Sequence, residues 1–183
     1  MKRLLFIFSL ISSLNTMHAQ DFVRELDTKT DKALLRGKIT FQDIMNESSC
    51  KWFETGSTNY QPKQASIIQL GNIASDYRFV VFAGTWCSDT KDLLPKFYKV
   101  LIEAGIDIKS VEMYGVNRNK EALNIESTLY NITRVPTIIV MHQYREIGRI
   151  IESVNSSIEE ELFEMISKDY ALLQQERIKK FKQ

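Results

Sequence analysis

Sulfur and imidazole are scarce in this sequence. Cys50 and Cys87 are the only cysteines among 183 residues, they form no Cys-x-x-Cys pair, and His18 and His142 are the only histidines. So few ligands, so far apart, exclude a closed Cys/His zinc site and a disulfide-built mini-scaffold, and no metal is expected. An excess of one charge is also missing. The 24 basic residues face 23 acidic ones, which removes the basic surplus that draws proteins onto nucleic-acid phosphates, so no nucleic-acid partner is expected. Glycine and proline number only 7 and 3, and no internal repeat or low-complexity segment interrupts the chain. What is present, 44% hydrophobic and 26% charged residues, suffices for one globular core in one domain.

Long apolar runs are absent too. The longest, Leu4-Leu5-Phe6-Ile7-Phe8-Ser9-Leu10-Ile11, follows Lys2 and Arg3 and precedes Met17-His18-Ala19. The apolar stretch that this run opens, about 11 residues, falls well short of the ~20 that span a bilayer. A basic start, a short apolar centre and a small residue at the end read as a secretory signal peptide, residues 1–19, cut after Ala19. No cysteine near the cut offers an acylation site. Losing Lys2 and Arg3 turns a net charge of +1 into −1. The mature protein is therefore expected in the periplasm or secreted, without a stable membrane span, where thiols can be oxidised.

Residues 20–62 form an N-terminal extension of mixed character. Thr40-Phe41-Gln42-Asp43 has the form of a capping box that opens a helix. The segment from Cys50-Lys51-Trp52-Phe53 to Tyr60-Gln61-Pro62 clusters aromatics with turn residues and is expected to pack onto the domain that follows. In residues 63–176, Ala65, Ile67, Ile68 and Leu70 mark a short helix after Pro62, which suits a first helical position. The apolar run 79–83 reads as a strand, 88–104 as a long helix stopped by Gly105, and 106–116 as a second strand. A helix over 121–130, a buried strand over 137–141 and a hairpin partner over 146–151 follow. His142 then falls in the turn of that hairpin and is given no role. A last helix starts near Ser157, where Ser157-Ile158-Glu159-Glu160 again has capping-box form, and 177–183 reads as a solvated basic tail. The order β-α-β-α-β-β-α fits several α/β sandwiches, so the junctions must decide among them.

At one junction Gly84-Thr85-Trp86-Cys87-Ser88-Asp89-Thr90 joins the first core strand to the long helix. Cys87 thus stands at a helix N-terminus, whose free N–H groups and dipole favour a thiolate over a thiol. Asp89 works in opposition. A carboxylate about 6 Å from the sulfur disfavours the thiolate by ~0.7 kcal/mol in water and ~3 kcal/mol at an effective dielectric near 20, against ~0.3–2 kcal/mol from the helix end.

These residues resemble the thioredoxin superfamily. Trp86-Cys87-Ser88-Asp89-Thr90 is similar to its Trp-Cys-x-x-Cys motif, Pro95 stands where such proteins kink the active-site helix, and Val135-Pro136-Thr137 looks like their cis-proline loop. The aromatic segment of the extension also looks like exported thioredoxin-like proteins of bacterial envelopes. The resemblance implies a three-layer α/β/α sandwich in which the loop lies beside the active-site sulfur. It implies Cys87 as nucleophile, with Trp86, Val135, Pro136 and Thr137 binding extended substrate, and no cofactor.

Two departures qualify the resemblance. Thr90 replaces the resolving cysteine, which blocks the ordinary dithiol cycle. Val81 replaces a buried carboxylate that assists proton transfer in many of these proteins. Single-thiol chemistry remains, with the Thr90 hydroxyl placed to donate to the thiolate. Cys50 is the candidate distant resolver, provided the two Cα atoms come within about 7 Å. The expected function is an exported thiol-disulfide oxidoreductase acting through Cys87 on protein or small-molecule thiols and disulfides. The alternative is a non-catalytic binding or scaffold module that uses the cis-proline groove. A thiol peroxidase is disfavoured, because neither cysteine lies in a Pro-x-x-x-Thr-x-x-Cys arrangement.

Overall fold

The computed structural model describes residues 21–182, and the signal expected over residues 1–19 lies outside the described residues. The sheet is organised by β3 (Tyr77–Ala83), where five consecutive residues from Phe79 to Ala83 are buried. A strand covered on both faces must be apolar at successive positions. Phe79, Val81 and Ala83 enter one core cluster, while Val80 and Phe82 enter a second.

β4 (Val111–Gly115) runs parallel to β3 on one side, and β5 (Thr137–His142) runs antiparallel on the other. The parallel pair requires a crossover, which α4 (Ser88–Glu103) provides. β6 (Arg145–Ile151) folds back on β5 across Gln143 and Tyr144. His142 is therefore the last residue of β5 rather than part of the turn. With α6 (Ile158–Phe181) packed beside α4, this strand order and direction make a thioredoxin-like α/β fold.

The residues before β3 build more than an irregular extension. β1 (Phe22–Leu26) and β2 (Ala33–Ile39) form an antiparallel hairpin, and β2 pairs antiparallel with β4, so the sheet has six strands in the order β1-β2-β4-β3-β5-β6. The turn between β1 and β2 is shaped by Asp27, whose carboxylate accepts from the Lys29 N–H and the Thr30 hydroxyl, as short polar side chains do in such turns. α1 (Phe41–Asn46) opens on the Thr40/Asp43 capping box, with both reciprocal bonds made. α2 (Trp52–Asn59) lies against α4, and Phe53 lies near Phe41 and Tyr98 at 5.9 and 5.3 Å between ring centroids. α3 (Gln64–Ile73) packs on α6.

The layers are unequal. Phe41, Phe53, Leu70, Phe97 and Leu162, from α1, α2, α3, α4 and α6, share the first cluster. The opposite face holds a smaller cluster, from Phe82, Tyr114, Val116, Ala122, Val135 and Ile139, and is flanked by the short α5 (Glu126–Leu129).

Four further sequence expectations change. The strand expected over 106–116 begins only at Val111, because Asp107 accepts the Lys109 N–H and opens a 3-10 turn over Ile108–Ser110. The helix expected over 121–130 shrinks to α5. Asn117 Oδ1 captures the N–H groups of Asn119 and Glu121, and Ser127 Oγ captures that of Ala122, bonds that compete with helix. Ser157 makes no side-chain cap to α6, since its hydroxyl donates to the Glu160 carboxylate instead. The tail expected from residue 177 is helical, because α6 continues through Phe181.

At the seam between β2 and β4 the chains approach too closely for a side chain. A Cβ on Gly115 would stand 2.2 Å from the Leu35 carbonyl oxygen. Gly115→Ala must open that seam and is expected to destabilise the protein by about 1–3 kcal/mol, read as a lower melting temperature by circular dichroism. An unchanged melting temperature would show that the seam is looser than described.

Candidate active site around Cys87

The site forms where β3 hands over to α4. The Cys87 N–H donates to the Gly84 carbonyl at 2.8 Å, which closes a turn, and the Cys87 carbonyl accepts from Lys91 at 3.1 Å, the first bond of the helix. Cys87 is the N-cap, with extended backbone at φ −84° and ψ 134°, and no side chain caps the helix there. The N–H groups of the first turn are thus left without a side-chain acceptor at the helix end that carries the sulfur. Cys87 is half-buried, and its Sγ–H donates to the Val135 carbonyl at 3.3 Å. One side of the thiol is therefore the loop before β5. In that loop the Val135–Pro136 peptide bond is cis.

The Asp89 carboxylate lies 4.0 Å from Cys87 Sγ, nearer than the 6 Å expected from its spacing. Asp89 itself is exposed. Thr90 is fully buried, and its Oγ1 accepts the Gly84 N–H at 3.2 Å. The sequence places that hydroxyl at the sulfur, and the bond it makes is to the turn instead. Thr137 is buried at the start of β5, where its hydroxyl donates to the Arg134 carbonyl at 2.7 Å and ties off the loop.

Trp86 is held from several directions. Its Nε1–H donates to the Val116 carbonyl at 2.9 Å, and the Arg118 guanidinium lies over the ring, 4.8 Å from the centroid. A Cβ on Gly84 would stand 2.8 Å from the indole, so this close approach needs glycine. Arg118 is itself gripped by Asp27, at 2.6 Å from Nε and 2.8 Å from the terminal nitrogen. Asp27 is only 2% exposed. The hydrogen bonds from Arg118, with those from Thr30 and Lys29, hold its carboxyl far below the usual carboxylate range despite desolvation.

The structure thus gathers Cys87, Trp86, Thr90, Val135, Pro136 and Thr137 around one junction. It does not join Cys50 to Cys87 in a disulfide. Cys50 ends a 3-10 turn over Ser48–Cys50, is 2% exposed and belongs to the first core cluster, whereas Cys87 packs against the second. Both thiols are free. Burial pushes the Cys50 thiol up, which leaves it less thiolate for attack.

Sequence reasoning does not reveal Arg118 and Asp27. Asp27 carries a local signal, the polar turn Asp27-Thr28-Lys29-Thr30-Asp31, but nothing local connects it with a partner 91 residues away.

Among solved structures, the chain is similar to a protein of unknown function from Pseudomonas aeruginosa, at 14% identity and a TM-score of 0.47 over 75% of this chain and 92% of that one. It is similar to mitochondrial thioredoxin 3 from Saccharomyces cerevisiae, at 18% identity and a TM-score of 0.36 over 62% and 98%. A thioredoxin from Fasciola hepatica matches at 24% identity and a TM-score of 0.36 over 57% and 91%. No protein-family model and no curated protein matches the chain.

The Asp27 carboxyl has a lower pKa folded than unfolded, so the unfolded chain binds its proton more readily. Its contribution to stability is present above the ordinary carboxylate value near 4 and is lost as pH falls below it. Asp27→Asn is expected to lower the melting temperature at pH 7 and to flatten its decline between pH 5 and pH 2. Parallel pH profiles for both proteins would remove Asp27 as a source of acid sensitivity.

Proposed function

We propose that this chain is an exported, thioredoxin-like thiol-disulfide oxidoreductase that works through one nucleophilic cysteine, Cys87, on thiols and disulfides of proteins or small molecules. The observation that carries the reading is the setting of the Cys87 sulfur. It is half-buried at the N-cap of a 16-residue helix and 3.3 Å from the Val135 carbonyl. A helix N-terminus stabilises an anion, and the nucleophile in disulfide exchange is the thiolate. Ionisation of Cys87 takes away the Sγ–H that the Val135 carbonyl accepts, which frees that carbonyl for a backbone N–H of an extended substrate. Trp86 flanks the sulfur, and Pro136 and Thr137 continue the loop along which such a substrate lies.

The chemistry balances with a second thiol from outside. The Cys87 thiol releases its proton to solvent, and the sulfur attacks one sulfur of R–S–S–R′. The Cys87–S–S–R bond forms as the original S–S bond breaks, and R′–S⁻ leaves and takes up a proton. An external thiolate then attacks the R sulfur, a new disulfide departs, and Cys87 leaves as thiolate. Thr90 stands where an internal resolver would act, and the buried Cys50 lies in the other core. An external thiol is therefore the resolver in this reading.

Iodoacetamide followed by peptide mass mapping tests the assignment. Cys87 is expected to be alkylated in the folded protein, and Cys50 only after unfolding. A monothiol disulfide should leave a mixed disulfide on Cys87 that disappears in Cys87→Ala. If Cys87 proves inert when folded, and Cys87→Ala retains partner capture, the chain is a binding module and not an oxidoreductase. Thr90→Cys supplies the missing resolver. After mild oxidation that variant should show an intact mass about 2 Da below its reduced form, through a disulfide between Cys87 and the introduced thiol.

A further inference from the structure

We infer that the Asp27–Arg118 ion pair is a positioning device for the Trp86 indole, through which the β1–β2 hairpin sets how readily Cys87 engages a disulfide. The inference rests on the reading of Cys87 as a nucleophile and adds two residues to that site.

The geometry forms a chain of contacts from the hairpin to the sulfur. Asp27 is fixed by its own turn. Its backbone carbonyl accepts from Thr30 and Asp31, and its carboxylate accepts from Lys29, Thr30 and twice from Arg118. The two bonds from Arg118 meet both carboxylate oxygens, and such a pairing fixes the guanidinium plane as well as its position. The Arg118 Cζ lies over the Trp86 ring, 4.8 Å from its centroid, within the range of a cation–π contact. The indole is thus held on its face by Arg118 and at its N–H by Val116, both from the loop that follows β4. Trp86 is the residue before Cys87, so any tilt of the ring moves the wall beside the sulfur.

A second tie runs in parallel. The Leu35 N–H of β2 donates to Thr85 Oγ1 at 3.3 Å, a buried bond to the residue before Trp86. The hairpin therefore reaches the active-site turn at two successive residues. Arg118 also carries charge into the site, and Cys87 is among the groups that raise its pKa, after the hydrogen bond to Asp27. A charge effect on Cys87 and a positional effect through Trp86 are different mechanisms, and a double-mutant cycle separates them.

Arg118→Lys keeps a cation for Asp27 but lacks the flat guanidinium that lies over the ring. Two readouts apply to the full mature chain. The first is the second-order rate constant of Cys87 with 2-hydroxyethyl disulfide, which is uncharged. The second is acrylamide quenching of Trp86 in a Trp52→Phe background, since Trp52 and Trp86 are the only tryptophans. Arg118→Lys is expected to slow the disulfide reaction about tenfold and to raise quenching about twofold. In a Trp86→Ala background the same substitution should change the rate less than about twofold. An equal drop in that background would overturn the inference, because Arg118 would then act without Trp86. Unchanged rate and quenching in folded Arg118→Lys would overturn it as well. Should Arg118→Lys fail to fold, the paired variant Asp27→Asn with Arg118→Gln, which removes both charges together, is held to the same two readings. A wild-type Cys87 inert to the disulfide would defeat the proposed oxidoreductase. Quenching alone would then decide whether Arg118 holds the indole.

Discussion

The hydrogen bond from the Gly84 N–H to Thr90 Oγ1, 3.2 Å long and fully buried, fastens the end of β3 to the first turn of α4. Much of the molecule depends on that junction. β3 stands between parallel β4 and antiparallel β5, and only the parallel neighbour needs a crossover, so the turn after β3 determines where the crossover helix begins. Because Cys87 caps that helix, the same turn aims the sulfur at the loop before β5. A threonine is well suited to the task, since its hydroxyl accepts one N–H while its methyl group packs in the core.

The two faces of the sheet divide the labour. The face under α1, α2, α3, α4 and α6 holds the large aromatic cluster of Phe41, Phe53, Phe79 and Phe97, and Cys50 is one of its packed members. The opposite face carries a thinner cover of loops, and those loops supply Val116, Arg118 and Val135 to the site. Burial stabilises the first face at about 25 cal/mol per Å2 of apolar area. The second face gives up some of that gain, and beside its thinner cover the thiol is only half-buried.

How much of this is legible in the sequence depends on the range of the interaction that decides each feature. Phe79 to Ala83 and Ile138 to Met141 are continuous apolar runs, and they read as strands because local pattern suffices. The Thr40/Asp43 box is legible for the same reason, since both partners lie within one turn. Ser157 presents the same form and misleads, because Glu160 takes its hydroxyl and no cap to the backbone is made. The β1–β2 hairpin escapes a sequence reading. Val23, Arg24 and Glu25 sit on an edge strand, and edge strands do not need the apolar pattern that reveals a buried one. Of the candidate site, Cys87, Trp86, Val135, Pro136 and Thr137 are read from motif and order. Asp27 and Arg118 are not, since their pairing spans 91 residues and leaves no local trace.

The buried Asp27 is the feature with the clearest need of a reason. Taking a carboxylate out of water is costly, and a paired guanidinium often does no more than offset that cost. Leucine at Asp27 together with an apolar residue at Arg118 would serve stability as well. What an apolar pair would not provide is direction, because it fixes neither a guanidinium plane nor, through it, that of the indole. A bidentate pair fixes both. Asp27 sits in the turn of a hairpin that β4, β3, β5 and β6 do not require for their own pairing, yet the contacts it makes end at the residue beside Cys87. The apolar side of the hairpin is accounted for by the core, which Leu35 and Ile39 enter; the charge in its turn reaches instead, through Arg118, to the residue beside Cys87, which is the arrangement expected if that charge is kept for the geometry of the site.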